Sequence, residues 1–277
     1  MRSWKEILFI GILLITILWL AKYTNQYAPV YRMPHHIPKK NKDAPKEING
    51  VPLVIYQSWG THEIPHHMAN NIKDVLEKNP EFDYYLYSDE ECRMFLQHNF
   101  PNDVVKAFDS LRPGAYKSDL WRYCILYVKG GVYMDIKLKP LIPLQNFIEA
   151  QPYVFVKDFV ANQQYRECMW NGFMIAPPGF DLFKYCIEEI VSTCKKKSYM
   201  RNGLDITGPC LLGRMVKKHQ PYNFLNYNML AITSPKTFTW NTDIVMTIYK
   251  EYREEQKTFQ KTEHYAKLWT MRKVYHE

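Results

Sequence analysis

The six cysteines of this 277-residue sequence make no C-x-x-C pair and no zinc-ligand spacing, so no structural metal site is expected from them. Cys186 and Cys194 are eight apart in an apparent helix, about 12 Å along its axis and too far for a disulfide while that helix is intact. The thiols therefore read mostly as small core residues. No Asn-x-Ser/Thr sequon is present, so nothing points to N-glycosylation, and no internal repeat is visible. Hydrophobic residues at 47% and aromatics at 15% exclude a disordered chain and supply a packed core. What is in surplus is positive charge. Lys and Arg number 36 against 28 Asp and Glu, a formal +8 that draws an anionic partner such as a nucleotide diphosphate, nucleic acid or an acidic membrane surface. Charge alone does not choose among them.

The stretch from Pro113 to Leu141 organises the chain. No proline or glycine occurs from Ala115 to Lys129. Leu120, Tyr123, Cys124 and Tyr127 recur at helical spacing, while Trp121, Ile125 and Val128 fill a second apolar stripe. A helix apolar on two sides is buried. Into it the sequence places Asp119 and Arg122 on one face, with Ser118 one turn before Arg122. Buried charges require a partner or a ligand. Lys129, Gly130 and Gly131 supply a helix stop. Val132, Tyr133 and Met134 form a run too short for a helix and read as a buried strand, with Asp135 at its C-terminal end, where open α/β sheets collect ligands.

Residues 118–135, SDLWRYCILYVKGGVYMD, together with VPLVIYQSWG at 51–60, NGFMIAPPG at 171–179 and TGPCLLG at 207–213, resemble the glycosyltransferases whose sugar-binding region contains a DXD motif. That family includes fungal initiating α-1,6-mannosyltransferases and α-1,4-glycosyltransferases of glycolipids. The resemblance implies a GT-A-like α/β domain with a mixed, mostly parallel sheet flanked by helices. It also implies transfer of a hexose or N-acetylhexosamine from a nucleotide-diphosphate sugar to a glycan or glycolipid, with retention of anomeric configuration. Nucleic acid is then not expected as a partner. By the same resemblance Asp119 and Asp135 are the catalytic carboxylates, and Ser118, Asp119, Arg122, Tyr133, Asp135, Lys137 and Gln57 are donor-binding. Asn171, Gly172, Thr207, Gly208 and Pro209 fall to the acceptor or sugar side. The family's metal ligands map to Asp135 and to His264, which precedes Trp269, for Mn²⁺ or Mg²⁺. One position departs: where the family has Asp-x-Asp, this chain has Asp135, Ile136 and Lys137. No carboxylate announces itself as a nucleophile, Asp158 and Asp205 being the candidates, and a front-face displacement would need none. The alternative is a membrane-tethered carbohydrate-binding or scaffold protein with the same fold and no catalysis.

Along the chain, Ile7 to Ala21 is an apolar run interrupted only by Gly11 and Thr16, flanked by Arg2, Lys5 and Lys22, with no small-x-small cleavage site behind it. The expectation is a short cytoplasmic tail at 1–6, an uncleaved transmembrane signal anchor at 7–23, a stem at 24–50 and a catalytic domain at 51–277. The resemblance implies a type II single-pass protein with that domain in the Golgi or ER lumen. Val51 to Trp59 reads as the first strand, Pro65 to Lys78 as an amphipathic helix and Phe82 to Tyr87 as a second strand, a β-α-β unit. Ser88 with Glu91 is a capping box opening a helix to about His98. Further strands are expected at 153–156 and 170–176, helices at 101–111, 181–195 and 211–218, and a turn-rich loop at 202–209.

Overall fold

The computed structural model of the protein describes residues 10–16, 30–158, 167–219, 230–234, 237–260 and 262–276. Strands β1 (Val30–Arg32), β2 (His36–Ile37), β3 (Glu47–Ile48), β4 (Val51–Pro52), β5 (Val54–Ser58) and β6 (Glu63–Pro65) lead to helix α1 (His66–Lys78). Strand β7 (Asp83–Tyr87) is followed by α2 (Asp89–Asn99), α3 (Asn102–Ser110), α4 (Gly114–Lys129) and β8 (Gly131–Met134). Then come β9 (Leu138–Pro140), α5 (Gln145–Ala150), β10 (Val154–Lys157), β11 (Met169–Ala176), α6 (Asp181–Lys195) and α7 (Pro209–Lys218). The chain closes with β12 (Leu230–Ser234), β13 (Thr237–Trp240), β14 (Asp243–Ile248), α8 (Tyr252–Phe259) and α9 (Tyr265–Thr270).

Among the described residues one ten-stranded sheet runs in the order β2-β7-β5-β8-β11-β10-β12-β13-β14-β9. The expected β-α-β unit is present, with β5 parallel to β7 across α1. Strand β8 lies beside β5 in parallel and beside β11 in antiparallel orientation, so its four residues are all buried. Alternation along β8 sends Val132 and Met134 into the core under α1 and α5, and Tyr133 into the core under α4.

Helix α4 is the spine of the second core. Trp121, Tyr123, Cys124, Ile125 and Leu126 have no exposed surface, and burying an apolar side chain of that size stabilises by about 1.5–3 kcal/mol. Its end is set by space as well as by conformation. Gly130 takes φ 64°, and a Cβ there would lie 2.6 Å from the Pro178 ring. Gly131 takes φ 96°, and a Cβ there would lie 2.8 Å from the Val54 carbonyl. The chain thus turns from helix into strand in two residues and delivers Asp135 to the strand's C-terminal edge.

Two helix starts are fixed differently. At α2 the expected capping box forms, Ser88 Oγ accepting from Glu91 N while Glu91 accepts from Ser88 N. Helix α1 has no cap of its own, and the buried Glu255 of α8 supplies one, accepting from His67 N at 2.8 Å and Met68 N at 3.1 Å. A carboxylate there satisfies orphan donors and meets the positive end of the helix dipole.

Four expectations are corrected. The transmembrane anchor at 7–23 is overturned: among the described residues no helix is long and apolar enough to cross a membrane. Of that span only residues 10–16, which are helical, are described, and the rest lies outside the described residues. Membrane attachment, single-pass topology and the luminal placement drawn from it do not stand. The stem at 24–50 differs as well, because β1 pairs with β6 and β2 pairs with β7, which puts residues 30–37 on the domain. The sheet is mixed but not mostly parallel: the pairs β5/β7, β5/β8 and β10/β12 are parallel and the other pairs of the large sheet antiparallel. Lastly, Pro209 is the first residue of α7 and not part of the loop before it.

A disulfide joins Cys168, just before β11, to Cys210 in α7, 42 residues away, and the other four cysteines are buried thiols. Closing a loop of that length removes about 4 kcal/mol of denatured-state entropy in the chain-entropy account. Cys168→Ser is therefore expected to lower unfolding stability by about 2–4 kcal/mol. Urea titrations of parent and variant check this, and reductant should move only the parent.

Candidate active site

A guanidinium stands at the centre. Arg122 projects from the buried face of α4, and burial raises the cost of its charge. Every donor on it is committed. Nη1 donates to the Asn171 carbonyl at 2.8 Å and lies 3.4 Å from Asp135 Oδ1. Nη2 donates to Ser118 Oγ at 3.1 Å and lies 3.3 Å from Asp119 Oδ1, and Nε donates to the Ser118 carbonyl. Its plane lies over the Tyr133 ring, 4.5 Å from the centroid. Two carboxylates, two carbonyls, a hydroxyl and a π face thus hold one cation.

The carboxylates differ. Asp119 accepts from Asn171 Nδ2 at 2.9 Å and from Thr207 Oγ1 at 2.8 Å. Burial pushes its carboxyl above the ordinary range, against the pull of Arg122 and these hydrogen bonds. Asp135 accepts from Tyr133 OH at 3.0 Å, and Lys137 Nζ lies 2.7 Å from its Oδ2. Burial pulls Asp135 upward, but Lys137, Arg122 and the Tyr133 hydroxyl outweigh it and hold the carboxyl below the ordinary range.

Strand β11 passes close beneath. Asp135 N donates to the Gly172 carbonyl at 2.7 Å, and a Cβ on Gly172 would lie 2.6 Å from Asp135 Oδ2 and 2.3 Å from Trp170. Only glycine leaves room for that carboxylate. Trp170 and Tyr252 form the wall around Lys137, whose ammonium lies 5.3 Å and 6.0 Å from their ring centroids. At the neighbouring strand end, Ser58 Oγ and Ser118 Oγ are 3.0 Å apart. Gln57, 1% exposed, accepts from Tyr84 OH at 2.9 Å, and its Nε2 is buried without a hydrogen-bond partner.

The structure thus joins Ser118, Asp119, Arg122, Tyr133, Asp135, Lys137, Asn171, Gly172 and Thr207 in one network. Gly208 borders it, since a Cβ there would lie 3.1 Å from Asp119 Oδ2, and Pro209 follows as the first residue of α7. His264 is elsewhere in role. It is exposed, its Nδ1 accepts from Ala266 N at the start of α9, and it makes no hydrogen bond or ion pair with Asp135. Asp205 has both oxygens taken, by Arg201 and Arg214. Sequence reasoning missed Ser58, Trp170 and Tyr252. Ser58 was within reach as the last residue of the first long strand, whereas Trp170 and Tyr252 meet Lys137 only through the sheet.

The divalent cation that the resemblance implies meets a poor donor set here. A divalent ion held by protein wants several anionic or neutral oxygens. Asp135 offers one carboxylate whose oxygens already face Lys137, Arg122 and Tyr133, and Lys137 puts an ammonium where the motif's second carboxylate would add a ligand. The pair's formal charge is zero, and the local field does not favour a cation. These residues do not fit a divalent ion.

Two outcomes follow. Arg122→Ala leaves two buried carboxylates without their cation and is expected to cost about 3–5 kcal/mol in urea unfolding. A carboxyl with a depressed folded pKa stabilises the fold above its unfolded pKa of about 3.9 and loses that contribution as pH falls through the folded value. Asp135→Asn should therefore flatten the acid limb of stability below about pH 4 relative to the parent; urea midpoints across the acid range decide it, and parallel limbs would contradict the ion pairing.

The family described as "Glycosyltransferase sugar-binding region containing DXD motif" matches residues 65–154. Inositol phosphoceramide mannosyltransferase 3 of Schizosaccharomyces pombe is 32% identical over 35% of this chain and 28% of its own length. Inositol phosphoceramide mannosyltransferase 2 of the same yeast is 24% identical over 77% of this chain and 62% of its own. The initiation-specific alpha-1,6-mannosyltransferase of Candida albicans is 30% identical over 40% and 30%. The chain thus matches less than two thirds of the length of each of these relatives. A solved structure titled PaToxG Glycosyltransferase aligns with a TM-score of 0.49 at 12% identity, over 94% of this chain and 92% of that one. Residues 65–154, which hold α4, β8 and Asp135, thus match the glycosyltransferase sugar-binding region containing a DXD motif, and the chain is similar over part of its length to fungal mannosyltransferases.

Proposed function

We propose that the chain transfers a hexose or N-acetylhexosamine from a nucleotide-diphosphate sugar to a glycan or glycolipid hydroxyl. The observation that carries this reading is Lys137. Unlike Arg122, whose donors are all used, it spends one contact on Asp135 and keeps further N–H donors at the edge of the same network. A leaving diphosphate needs its growing negative charge met where the bond to the sugar breaks. Lys137 supplies the charge, Asp135 aims it, and Arg122 fixes Asp135.

In the step, the bond between the anomeric carbon and the phosphate oxygen breaks and the bond to the acceptor oxygen forms. The acceptor's proton passes to the departing diphosphate. Such a front-face course retains configuration and needs no enzymic nucleophile, in keeping with the arginine-paired state of Asp205. Gln57 and Ser118 are assigned to the donor, and Asn171, Gly172, Thr207, Gly208 and Pro209 to the sugar and acceptor side. Two of the relatives are named for mannose transfer to inositol phosphoceramide, so a mannosyl donor with that acceptor is the first pair to try.

The closed ion pair of Asp135 with Lys137 also suits a protein that binds a sugar nucleotide without turning it over. Release of nucleoside diphosphate from a panel of donors, with acceptor and with EDTA, separates the two readings. Transfer is expected and should persist under chelation. Lys137→Ala should raise the donor KM tenfold or more, because a hydrogen bond to a charged group contributes about 1.5–3 kcal/mol. Donor binding without release would favour the non-catalytic reading, and strict metal dependence of the parent would show that Lys137 turns away from the donor.

A further inference from the structure

A second polar cluster lies outside this network. His35 sits between β1 and β2, His62 between β5 and β6, and Glu91 in the first turn of α2; one ligand atom from each lies within 4.8 Å of the others. His62 Nε2 is 2.6 Å from Glu91 Oε2, and His35 Nδ1 is 3.2 Å from Glu91 Oε1.

Three details point to a ligand. First, His62 Nδ1 lies 3.1 Å from the Met33 carbonyl, which can only accept and so holds a proton on Nδ1, leaving Nε2, hydrogen-bonded at 2.6 Å to Glu91 Oε2 without an ion, as the nitrogen that a metal would take in place of that proton. A carbonyl behind a histidine in this way is the usual outer support of a metal-bound imidazole. Second, His35 Nδ1 is shielded from solvent and, although close to Glu91, makes no hydrogen bond of acceptable geometry. Buried nitrogens are rarely left so. Third, the side chains are pre-set. Ser88 N and Oγ anchor Glu91 Oε2, and the His35 ring packs edge-on to Tyr85 and Tyr87. All three residues keep partial exposure, which leaves an entry path.

We propose that His35 Nδ1, His62 Nε2 and the Glu91 carboxylate form a transition-metal site of the zinc type, with water as the fourth ligand. Two imidazoles and one carboxylate suit zinc and not the oxygen-seeking magnesium or calcium. A tetrahedral ion at about 2.1 Å from each ligand sets neighbouring ligand atoms about 3.4 Å apart, against the 2.6 Å and 3.2 Å from Glu91 to the two rings and the 4.8 Å limit on the cluster. The ion staples the segment before β2 to the loop after β5 and to α2. Cysteine spacing could not reveal this site, because no cysteine is in it.

The test uses the full chain, stripped with EDTA, dialysed, and titrated calorimetrically with zinc chloride and separately with magnesium chloride. One equivalent of zinc is expected to bind and raise the melting temperature, and magnesium should do neither. His35→Ala and His62→Ala should weaken zinc binding by more than the roughly 10- to 100-fold that loss of an outer-shell partner costs. Glu91→Gln keeps a residue able to complete the capping box, so it removes the charged ligand while circular dichroism verifies the fold. Asp135→Asn should bind zinc as the parent does. Failure of the folded parent to take up a stoichiometric ion, or uptake unchanged in all three cluster variants, would overturn the proposal. So would loss of uptake in Asp135→Asn alone. None of these readouts depends on sugar transfer.

Discussion

The buried guanidinium of Arg122 is the constraint on which the rest of the site depends. A cation without water is tolerable only if its surroundings return what solvation gave, and here they do so from three elements at once: α4 through Ser118 and Asp119, β8 through Tyr133 with Asp135 beyond it, and β11 through the Asn171 carbonyl. The same contacts that compensate the charge lock the helix to the strand end. Position and electrostatics are therefore one arrangement, and the shortness of β8 and the absence of a side chain at Gly172 are its steric conditions.

Lys137 changes the character of the arrangement more than its shape. With two carboxylates the strand end would be an anionic cup waiting for an ion; with Asp135 and Lys137 it is a self-neutralised pair whose ammonium stands among aromatic rings. The aromatic wall lowers the local polarity, which makes the pair tight when the site is empty of anions and makes an arriving phosphate a strong competitor for the ammonium.

Much of this was legible in the chain. The two apolar stripes of α4, the Gly130–Gly131 stop, the alternation through β8 and the Ser88–Glu91 box are local signals, and each formed where its residues require. Asp119 and Arg122 were expected on one helix face, with Asn171 and Thr207 named apart from them, and the structure shows the four as one polar group. What failed was non-local. The strands β1, β2, β12 and β14 each take a partner far along the chain, so their own residues carry little periodic signal. Sheet direction depends on which strands become neighbours, and the bond between Cys168 and Cys210 on a loop meeting a helix. His264 was assigned by its distance from a tryptophan, a one-dimensional cue; in three dimensions it caps α9. The apolar run from Ile7 to Ala21 speaks of composition, and among the described residues no helix is long and apolar enough to cross a membrane.

The placing of β9 carries a consequence for how the chain is made. Pro140 pairs with Met246 and Leu138 with Ile248, so an edge laid down shortly after Asp135 finds its partner only about 100 residues later. A ribosome adding roughly 5–20 residues per second leaves that edge open for some seconds. Over the same interval α1 lacks Glu255, and the ammonium of Lys137 lacks Tyr252. Helix α8 thus completes both contacts late, and the matched region 65–154 is an unfinished object until Tyr252 and Glu255 arrive.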